Sequence, residues 1–301
     1  MTAAQALRFG GQSYENLSVF LDADGDAIYV SMNVRPRPCF TWNLLRDFLD
    51  FQQRFIETTR LDASHPRCVV YASEATGIYS LGGDLHLFKL ASETKDKAML
   101  TRYVLDCISA LHNLLTTPEA VTIGLLEGDA LGAGLETALA SDVIIAERGV
   151  RAGFPEVLFN LIPGVGGYYL AARRIGPKAA ERLIRDGAVH TAEELYDMGL
   201  VDILVDKGQG RQAVRDMLSE QRKTWNTFQS LQHVKRHYLP ISRDMLVANA
   251  EIWVDAAMRL TDRNLRMMER LVLAQERRAG LNTVAAPPVL IPREQQVVAA
   301  A

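Results

Sequence analysis

The stretch Gly128-Asp129-Ala130-Leu131-Gly132-Ala133-Gly134-Leu135-Glu136 decides how the fold of this chain is interpreted. An apolar run over residues 121–126 precedes it, and a helical pattern over residues 133–140 begins within it. Small residues let the backbone pass close to another group, and the free N–H groups of a first helical turn suit an anion. A carbonyl that gains negative charge during a reaction is one such anion. Alone, the stretch also fits a tight strand–helix turn in which Glu136 complements the helix dipole.

Strands and helices alternate on both sides of this stretch. An Asp24-Gly25 turn between two alternating runs predicts a β-hairpin. Apolar spacing predicts helices, and short β-prone runs predict further strands. The predicted strands cover 17–22, 27–34, 68–72, 121–126 and 142–146, and the predicted helices cover 42–56, 95–115 and 133–140. This alternation predicts an α/β fold with helices packed against the sheet faces.

The chain turns mostly helical after about Pro163. We therefore predict an α/β core over residues 1–205 and a C-terminal helical region over residues 206–281, for oligomerisation or for a pocket. A long apolar pattern at residues 252–273 exceeds what a solvent-exposed helix should show. The stretch 282–301, with Ala-Ala-Pro-Pro and a Val-Val-Ala-Ala-Ala end, is predicted to be a mobile tail.

Composition excludes several classes of protein. Hydrophobic residues make up 48% and charged residues 23% of the chain, with a net charge of −3 and no basic cluster, so we expect neither nucleic acid nor a membrane as a partner. No apolar run spans a bilayer, and residues 1–12 lack the continuous apolar stretch of a secretory signal. Cys39, Cys68 and Cys107 are far apart and odd in number, which favours a reducing cytoplasm over a disulfide framework.

A second candidate element is Phe154-Pro155-Glu156-Val157-Leu158-Phe159. The apolar surroundings of Glu156 favour a raised carboxyl pKa, which suits proton transfer near neutral pH. The alternative is an acidic residue in the first turn of a helix behind a proline, which is a common arrangement.

A third element, Leu81-Gly82-Gly83-Asp84, follows a predicted strand and offers another backbone donor. The alternative is a turn before a helix that Asp84 caps. No cofactor and no metal is expected, since the glycine runs match no nucleotide-binding motif, and His65 with Cys68 forms a single pair.

Together the three elements resemble the crotonase (enoyl-CoA hydratase/isomerase) superfamily. The resemblance covers residues 68–205 and includes Pro163-Gly-Val-Gly-Gly167, the 192–202 segment and the spacing of 20 between the two glutamates. It implies a crotonase-like ββα-repeat core and a homotrimer or a dimer of trimers. It implies catalytic roles for Glu136 and Glu156, and an oxyanion hole built from the N–H of Leu81 or Gly82 and the N–H of Ala133, where many relatives have Gly.

A narrower resemblance, to the diffusible signal factor synthases of Gram-negative bacteria, covers nearly the whole chain. The segments that carry it are 81–85, 155–159, 251–255 and 270–278. It implies dehydration of a medium-chain 3-hydroxyacyl thioester on acyl carrier protein, a cis-2-enoyl product, and hydrolysis of the thioester. Glu156 would remove the C2 proton, Glu136 would protonate the departing hydroxyl, and Trp253 would line the acyl tunnel.

Two alternatives remain open at this level. An ordinary enoyl-CoA hydratase/isomerase shares every one of these residues and differs in its carrier, coenzyme A, and in direction. A non-catalytic protein of the same fold would instead bind a partner such as a sensor-kinase domain. Retention of both Glu136 and Glu156 argues for catalysis.

Overall fold

The fold contains two β-sheets, and successive ββα units contribute strands to both of them. The computed structural model describes residues 14–61, 67–117 and 120–278. The larger sheet has the strand order β1-β2-β3-β5-β7-β10. Its strands are β1 (Leu17–Leu21), β2 (Ala27–Met32), β3 (Cys68–Ser73), β5 (Val121–Leu126), β7 (Val143–Glu147) and β10 (Ile203–Val205). The predicted α/β fold is confirmed.

The larger sheet combines one antiparallel pair with parallel pairing elsewhere. Strands β1 and β2 form the predicted hairpin, with Leu17 opposite Met32, and the remaining neighbours are parallel. Every residue of β2 and β5 is buried. Parallel strands covered on both faces are expected to be continuously apolar, which explains why these runs were visible in the sequence.

A smaller sheet has the order β4-β6-β8-β9. Its strands are β4 (Ile78–Ser80), β6 (Asp129–Leu131), β8 (Arg151–Gly153) and β9 (Val189–Thr191). Strands β4, β6 and β8 are parallel neighbours, and β9 is antiparallel to β8. The sequence predicts no strand between the strand 121–126 and the helix 133–140, and β6 corrects this expectation. Three residues are too few to show the alternation that identifies a strand.

Eleven helices in the described part of the chain pack around the sheets. They are α1 (Trp42–Leu61), α2 (Leu85–Thr94), α3 (Lys97–Thr116), α4 (Ala133–Leu139), α5 (Gly167–Ile175), α6 (Pro177–Asp186), α7 (Ala192–Asp197), α8 (Gly210–Gln221), α9 (Trp225–Tyr238), α10 (Arg243–Met258) and α11 (Asp262–Arg278). Helix α2 begins after Asp84, whose carboxylate accepts the N–H groups of His86 and Leu87. The capping role considered for Asp84 is therefore confirmed.

The apolar pattern over residues 252–273 belongs to two helices, α10 and α11, and not to one stripe. Trp253, Val254 and Met268 are buried, whereas 61% of Ile252 is exposed. Residues 1–13 and 279–301 lie outside the described residues, and the predicted mobile tail, residues 282–301, falls among them. None of the described helices is long and apolar enough to cross a membrane.

An ion pair fastens the C-terminal helices to the core. Arg236 on α9 donates from Nε to Asp142 at 2.8 Å and bonds the second carboxylate oxygen as well. The same guanidinium bonds the carbonyls of Thr117 and Ala120. Asp142 also accepts the N–H of Thr122 at 2.8 Å. The pair is largely buried, so each charge depends on the other.

We expect Arg236→Ala to destabilise the protein by about 3–5 kcal/mol, because it leaves the carboxylate of Asp142 buried without its partner. Urea unfolding measures this change. Arg215→Ala is the matched control: Arg215 is exposed on α8, and within the described ranges its side chain bonds only Gln212, so the loss should stay within about 0.5 kcal/mol. Equal losses in both variants would contradict the interpretation of the ion pair.

Candidate active site

The three sequence elements meet at one edge of the smaller sheet. The loop 81–84 follows β4, Gly132 and α4 follow β6, and the 3₁₀-helix Pro155–Phe159 follows β8. Because these three strands are parallel neighbours, their carboxyl ends lie side by side. One pocket is consequently lined by all six predicted site residues, Leu81, Gly82, Ala133, Glu136, Glu156 and Trp253.

Glu136 lies in the first turn of α4 and is almost completely buried. One carboxylate oxygen, Oε1, accepts the N–H of Val165 at 2.9 Å and the N–H of Gly167 at 2.7 Å. These donors come from the glycine-rich turn that opens α5. Backbone N–H groups aimed at a carboxylate stabilise its ionised form.

Glu156 has the opposite environment. Its carboxylate oxygen Oε2 is buried and has no hydrogen-bond partner among the described residues. Gly132 makes room for this side chain: a Cβ there would stand 2.4 Å from Oε1 of Glu156, and Gly132 also has φ +51°. Any other residue at 132 would both strain the backbone and displace the carboxylate.

Burial raises the pKa of both glutamates. Loss of hydration raises the pKa of Glu136 to about 7, opposed by the N–H bonds from Gly167 and Val165. Loss of hydration, followed by the charge of Glu136, raises the pKa of Glu156 to about 8. The two groups titrate as a pair, and the backbone donors place the negative charge on Glu136. Glu136 has the lower pKa of the two and is therefore the first of the pair to ionise as the pH rises.

Two amides beside the glutamates are suited to bind an oxyanion. Ala133 is the first residue of α4, and its N–H has no hydrogen-bond acceptor among the described residues. Gly82 has φ +94°, and its N–H reaches only the hydroxyl of Ser80 at 3.2 Å. The N–H of Leu81 donates to the carbonyl of Pro38 at 2.8 Å, so it is already paired. Of the two predicted donors, Gly82 has the longer existing hydrogen bond, and the oxyanion hole stays a prediction.

The pocket wall is apolar and comes in part from the C-terminal helices. Trp253 on α10 is 3% exposed, and its ring packs edge-on against Phe88 with 4.9 Å between centroids. Leu271 on α11 also lines the pocket, as do Val104 and Phe159. Trp253 is thus a core residue and a lining residue at once.

Some contributors to this site were not identified from the sequence. Val165 and Gly167 hold Glu136, and the side-chain amide of Asn249 on α10 donates to the carbonyl of Gly164 at 2.8 Å. The glycine run before a helix was a usable signal, because such a turn presents free N–H groups. Nothing near Asn249 in the sequence connects it with a turn so far away.

The comparisons with known proteins agree with this geometry. A sequence model of the enoyl-CoA hydratase/isomerase family matches residues 45–266. YhaR of Bacillus subtilis, named as an enoyl-CoA hydratase/isomerase, is 30% identical over 183 residues, covering 58% of this chain and 70% of YhaR. The enoyl-CoA isomerase/hydratase fer4 of Mycosarcoma maydis is 32% identical over 196 residues, covering 61% of this chain and 68% of that protein.

Solved structures show the same fold. Human mitochondrial delta3-delta2-enoyl-CoA isomerase superposes with a TM-score of 0.72 at 18% identity, covering 88% of this chain and 99% of that one. Pseudomonas aeruginosa DspI superposes with a TM-score of 0.63 at 25% identity, covering 80% of this chain and 95% of that one. The chain belongs to the enoyl-CoA hydratase/isomerase family and has the crotonase fold.

Proposed function

We propose that this protein adds water to a 2-enoyl thioester and, in reverse, dehydrates the 3-hydroxyacyl thioester. The observation that carries the proposal is the difference in hydrogen bonding between two neighbouring glutamates, buried Glu136 and half-buried Glu156. Glu136 accepts two backbone N–H groups, whereas Oε2 of Glu156 has no partner. Hydration needs one carboxylate to accept a proton from water and one carboxylic acid to donate a proton to carbon, and this pair supplies one of each.

In the proposed reaction the thioester carbonyl oxygen accepts the N–H groups of Gly82 and Ala133. Glu136 takes a proton from water as the water oxygen forms a bond to C3, and the electrons of the double bond move into an enolate. The two N–H groups stabilise the enolate oxygen, and loss of one such donor in other enzymes costs about 10²–10³ in rate. The enolate collapses as Glu156 gives its proton to C2. In reverse, Glu156 removes the C2 proton and Glu136 protonates the departing hydroxyl.

The position of the pocket supports a fatty-acyl substrate. Its lining is mainly apolar and includes the two glutamates. Each buried CH₂ group of an acyl chain contributes about 0.8 kcal/mol. Exclusion of water by Trp253 and Leu271 also strengthens the electrostatic interactions around the carboxyls.

We expect Glu136→Gln and Glu156→Gln each to lower kcat for hydration by about 10²–10⁴, because each removes one proton transfer. Steady-state assays with a 2-enoyl thioester measure this loss, and circular dichroism checks the fold. Glu147→Gln is the control, since Glu147 is also buried and accepts a backbone N–H, from Gly210 at 2.9 Å, but lies outside the pocket. Normal turnover in either folded site variant would remove that residue from the mechanism.

The pH dependence should reflect the coupled pair. Glu136 loses its charge below about pH 7 and Glu156 loses its proton above about pH 8, so kcat/KM should be bell-shaped with its maximum between these values. The free energy of unfolding depends on pH in a different way. Burial raises both pKa values above the ordinary value of 4.5, so the folded state is favoured while the two carboxyls are protonated, fully below about pH 4.5. This contribution is lost as the pH rises through 7 and 8.

The free energy of unfolding of Glu156→Gln should therefore exceed that of the wild type above about pH 8, since glutamine cannot ionise in the buried site. Urea unfolding at about pH 5 and pH 9 tests the sign. A pH–rate profile that is flat from pH 6 to pH 9, together with no stability difference at high pH, would contradict the proposed protonation states.

A second candidate is synthesis of a cis-2-unsaturated fatty-acid signal by dehydration on acyl carrier protein followed by thioester hydrolysis. It is supported by segments 251–255 and 270–278, which carry the resemblance to signal synthases, since Trp253 and Leu271 from these segments line the pocket. The same amides would stabilise the tetrahedral oxyanion of hydrolysis. Assays of acyl carrier protein thioesters against CoA thioesters, with mass spectrometry for released free acid, distinguish the candidates. No turnover with either carrier would favour a non-catalytic, partner-binding protein.

We expect Trp253→Ala to shift the preference towards longer acyl chains, because the ring forms part of the pocket wall. It should also destabilise the protein by about 3–5 kcal/mol, as aromatic core truncations do. Product chain lengths and the melting temperature are measured together. Trp225→Ala, on α9 and outside the pocket, is the control and should leave chain preference unchanged. A lower melting temperature with an unchanged chain profile would assign Trp253 to the core alone.

The homotrimer or dimer of trimers, which the family resemblance implies, stays a prediction.

A further inference from the structure

A second cavity lies apart from the glutamate pocket, between the C-terminal end of α3, helix α5 and the end of α9. It has about 840 Å³ of empty space, part of it open to solvent, and shares no lining residue with the first pocket. Its lining consists of Leu115, Thr116, Arg173, His233, Arg236, His237, Pro240 and Ile241. The lining contains two arginines and two histidines, and none of the described lining residues carries a carboxylate.

Arg173 is the unusual group in this cavity. Its side chain is partly buried, yet its guanidinium has no hydrogen bond and no ion pair with any described residue. Burial, and then the charge of Arg174, lower the pKa of Arg173 to about 10, so it remains charged at neutral pH. Its five donors therefore remain available to a ligand in the cavity.

The neighbouring arginines show that acceptors in this region are already used. Arg174 donates to Asp202 at 2.9 Å and to the carbonyl of Ser141 at 2.8 Å. Arg236 donates hydrogen bonds to both carboxylate oxygens of Asp142. These two arginines already hold the nearby acceptors, although Nε of Arg174 has no partner among the described residues, and the carboxylate of Asp142 is bound by Arg236.

The histidines of the cavity provide a second, independent observation, because they present ring nitrogens without partners in the part of the chain that the structure describes. The ring nitrogen Nε2 of His233 is buried and has no partner among the described residues. His237 uses Nδ1 to contact the carbonyl of His233 at 2.7 Å, which leaves Nε2 of His237 for another group. Leu115, Pro240 and Ile241 supply an apolar wall beside these nitrogens.

We propose that this cavity binds a small amphipathic anion, with a carboxylate or phosphate head group on Arg173 and His233 and a short apolar tail against Leu115 and Ile241. The planar guanidinium fork matches two oxygens of either head group. A bound anion would satisfy the donors that the protein leaves unpaired. The inference involves no acyl chemistry and does not depend on the reaction proposed above.

Titration calorimetry of the full chain with octanoate, octyl phosphate, inorganic phosphate and neutral octanol tests the proposal. We expect octanoate or octyl phosphate to bind, and Arg173→Gln to weaken that site by about 10- to 100-fold, the size of a lost charged hydrogen bond. Whichever of the two anions binds more tightly identifies the head group. Arg215→Gln, at an exposed position, should change nothing. Any binding in the glutamate pocket survives Arg173→Gln and is thereby separated from this site.

The melting temperature without ligand provides the second measurement. An arginine kept for a ligand is unpaired in the free protein, so Arg173→Gln should leave the melting temperature unchanged or raise it. A lower melting temperature, or a changed molecular mass by light scattering, would make Arg173 a structural or interface residue and overturn the proposal. Equal affinity in wild type and Arg173→Gln would also overturn it, as would binding of octanol or of inorganic phosphate as tight as that of the octyl anions.

Discussion

The site depends on one constraint, the parallel pairing of three strands that are each three residues long. Because β4, β6 and β8 are hydrogen-bonded side by side, the turns that leave their carboxyl ends must emerge together. Those turns carry Gly82, Ala133 with Glu136, and Glu156. Slippage of any strand by one residue would reverse which side chains point to each face of the sheet. The backbone of the small sheet thus sets the positions of the proposed reacting groups.

The second requirement is that the two carboxyl groups are shielded from water and still differ in pKa. Burial alone raises the pKa of each glutamate and would leave both protonated. The turn 163–167 breaks this symmetry by directing the N–H groups of Val165 and Gly167 at Glu136 alone. Asn249 on α10 holds that turn through the carbonyl of Gly164. The C-terminal helices therefore contribute to the electrostatics of the site as well as to its walls.

Charged side chains with a structural role in this protein have hydrogen-bonding partners, whereas two with a proposed functional role leave polar atoms unpaired within the described part of the chain. Asp142 and Arg236 satisfy each other, and Arg174 bonds Asp202, so these charges explain the attachment of helices to the core. Among the described residues, Oε2 of Glu156 and the guanidinium of Arg173 have no such partner, and they lie in two separate cavities. Polar groups that are withdrawn from water without a partner cost free energy, and ionisable groups in such surroundings cluster where a ligand or a reaction uses them. The same reasoning underlies both proposed sites.

The sequence by itself determined the α/β fold, the hairpin and the buried strands of the larger sheet, because long apolar runs and an Asp-Gly turn are local signals. It also identified Glu136 and Glu156, through glycine and proline contexts whose order and spacing resemble a known family. Tertiary structure decided the rest. It made a strand of Asp129–Leu131, since three residues carry no periodicity and depend on their neighbours for pairing. It paired the N–H of Leu81 with the carbonyl of Pro38, and it gave Glu136 its two donors from residues about thirty positions away. Hydrogen bonds between distant segments, and the burial that accompanies them, have no signature in local sequence, and they set which carboxyl holds the proton.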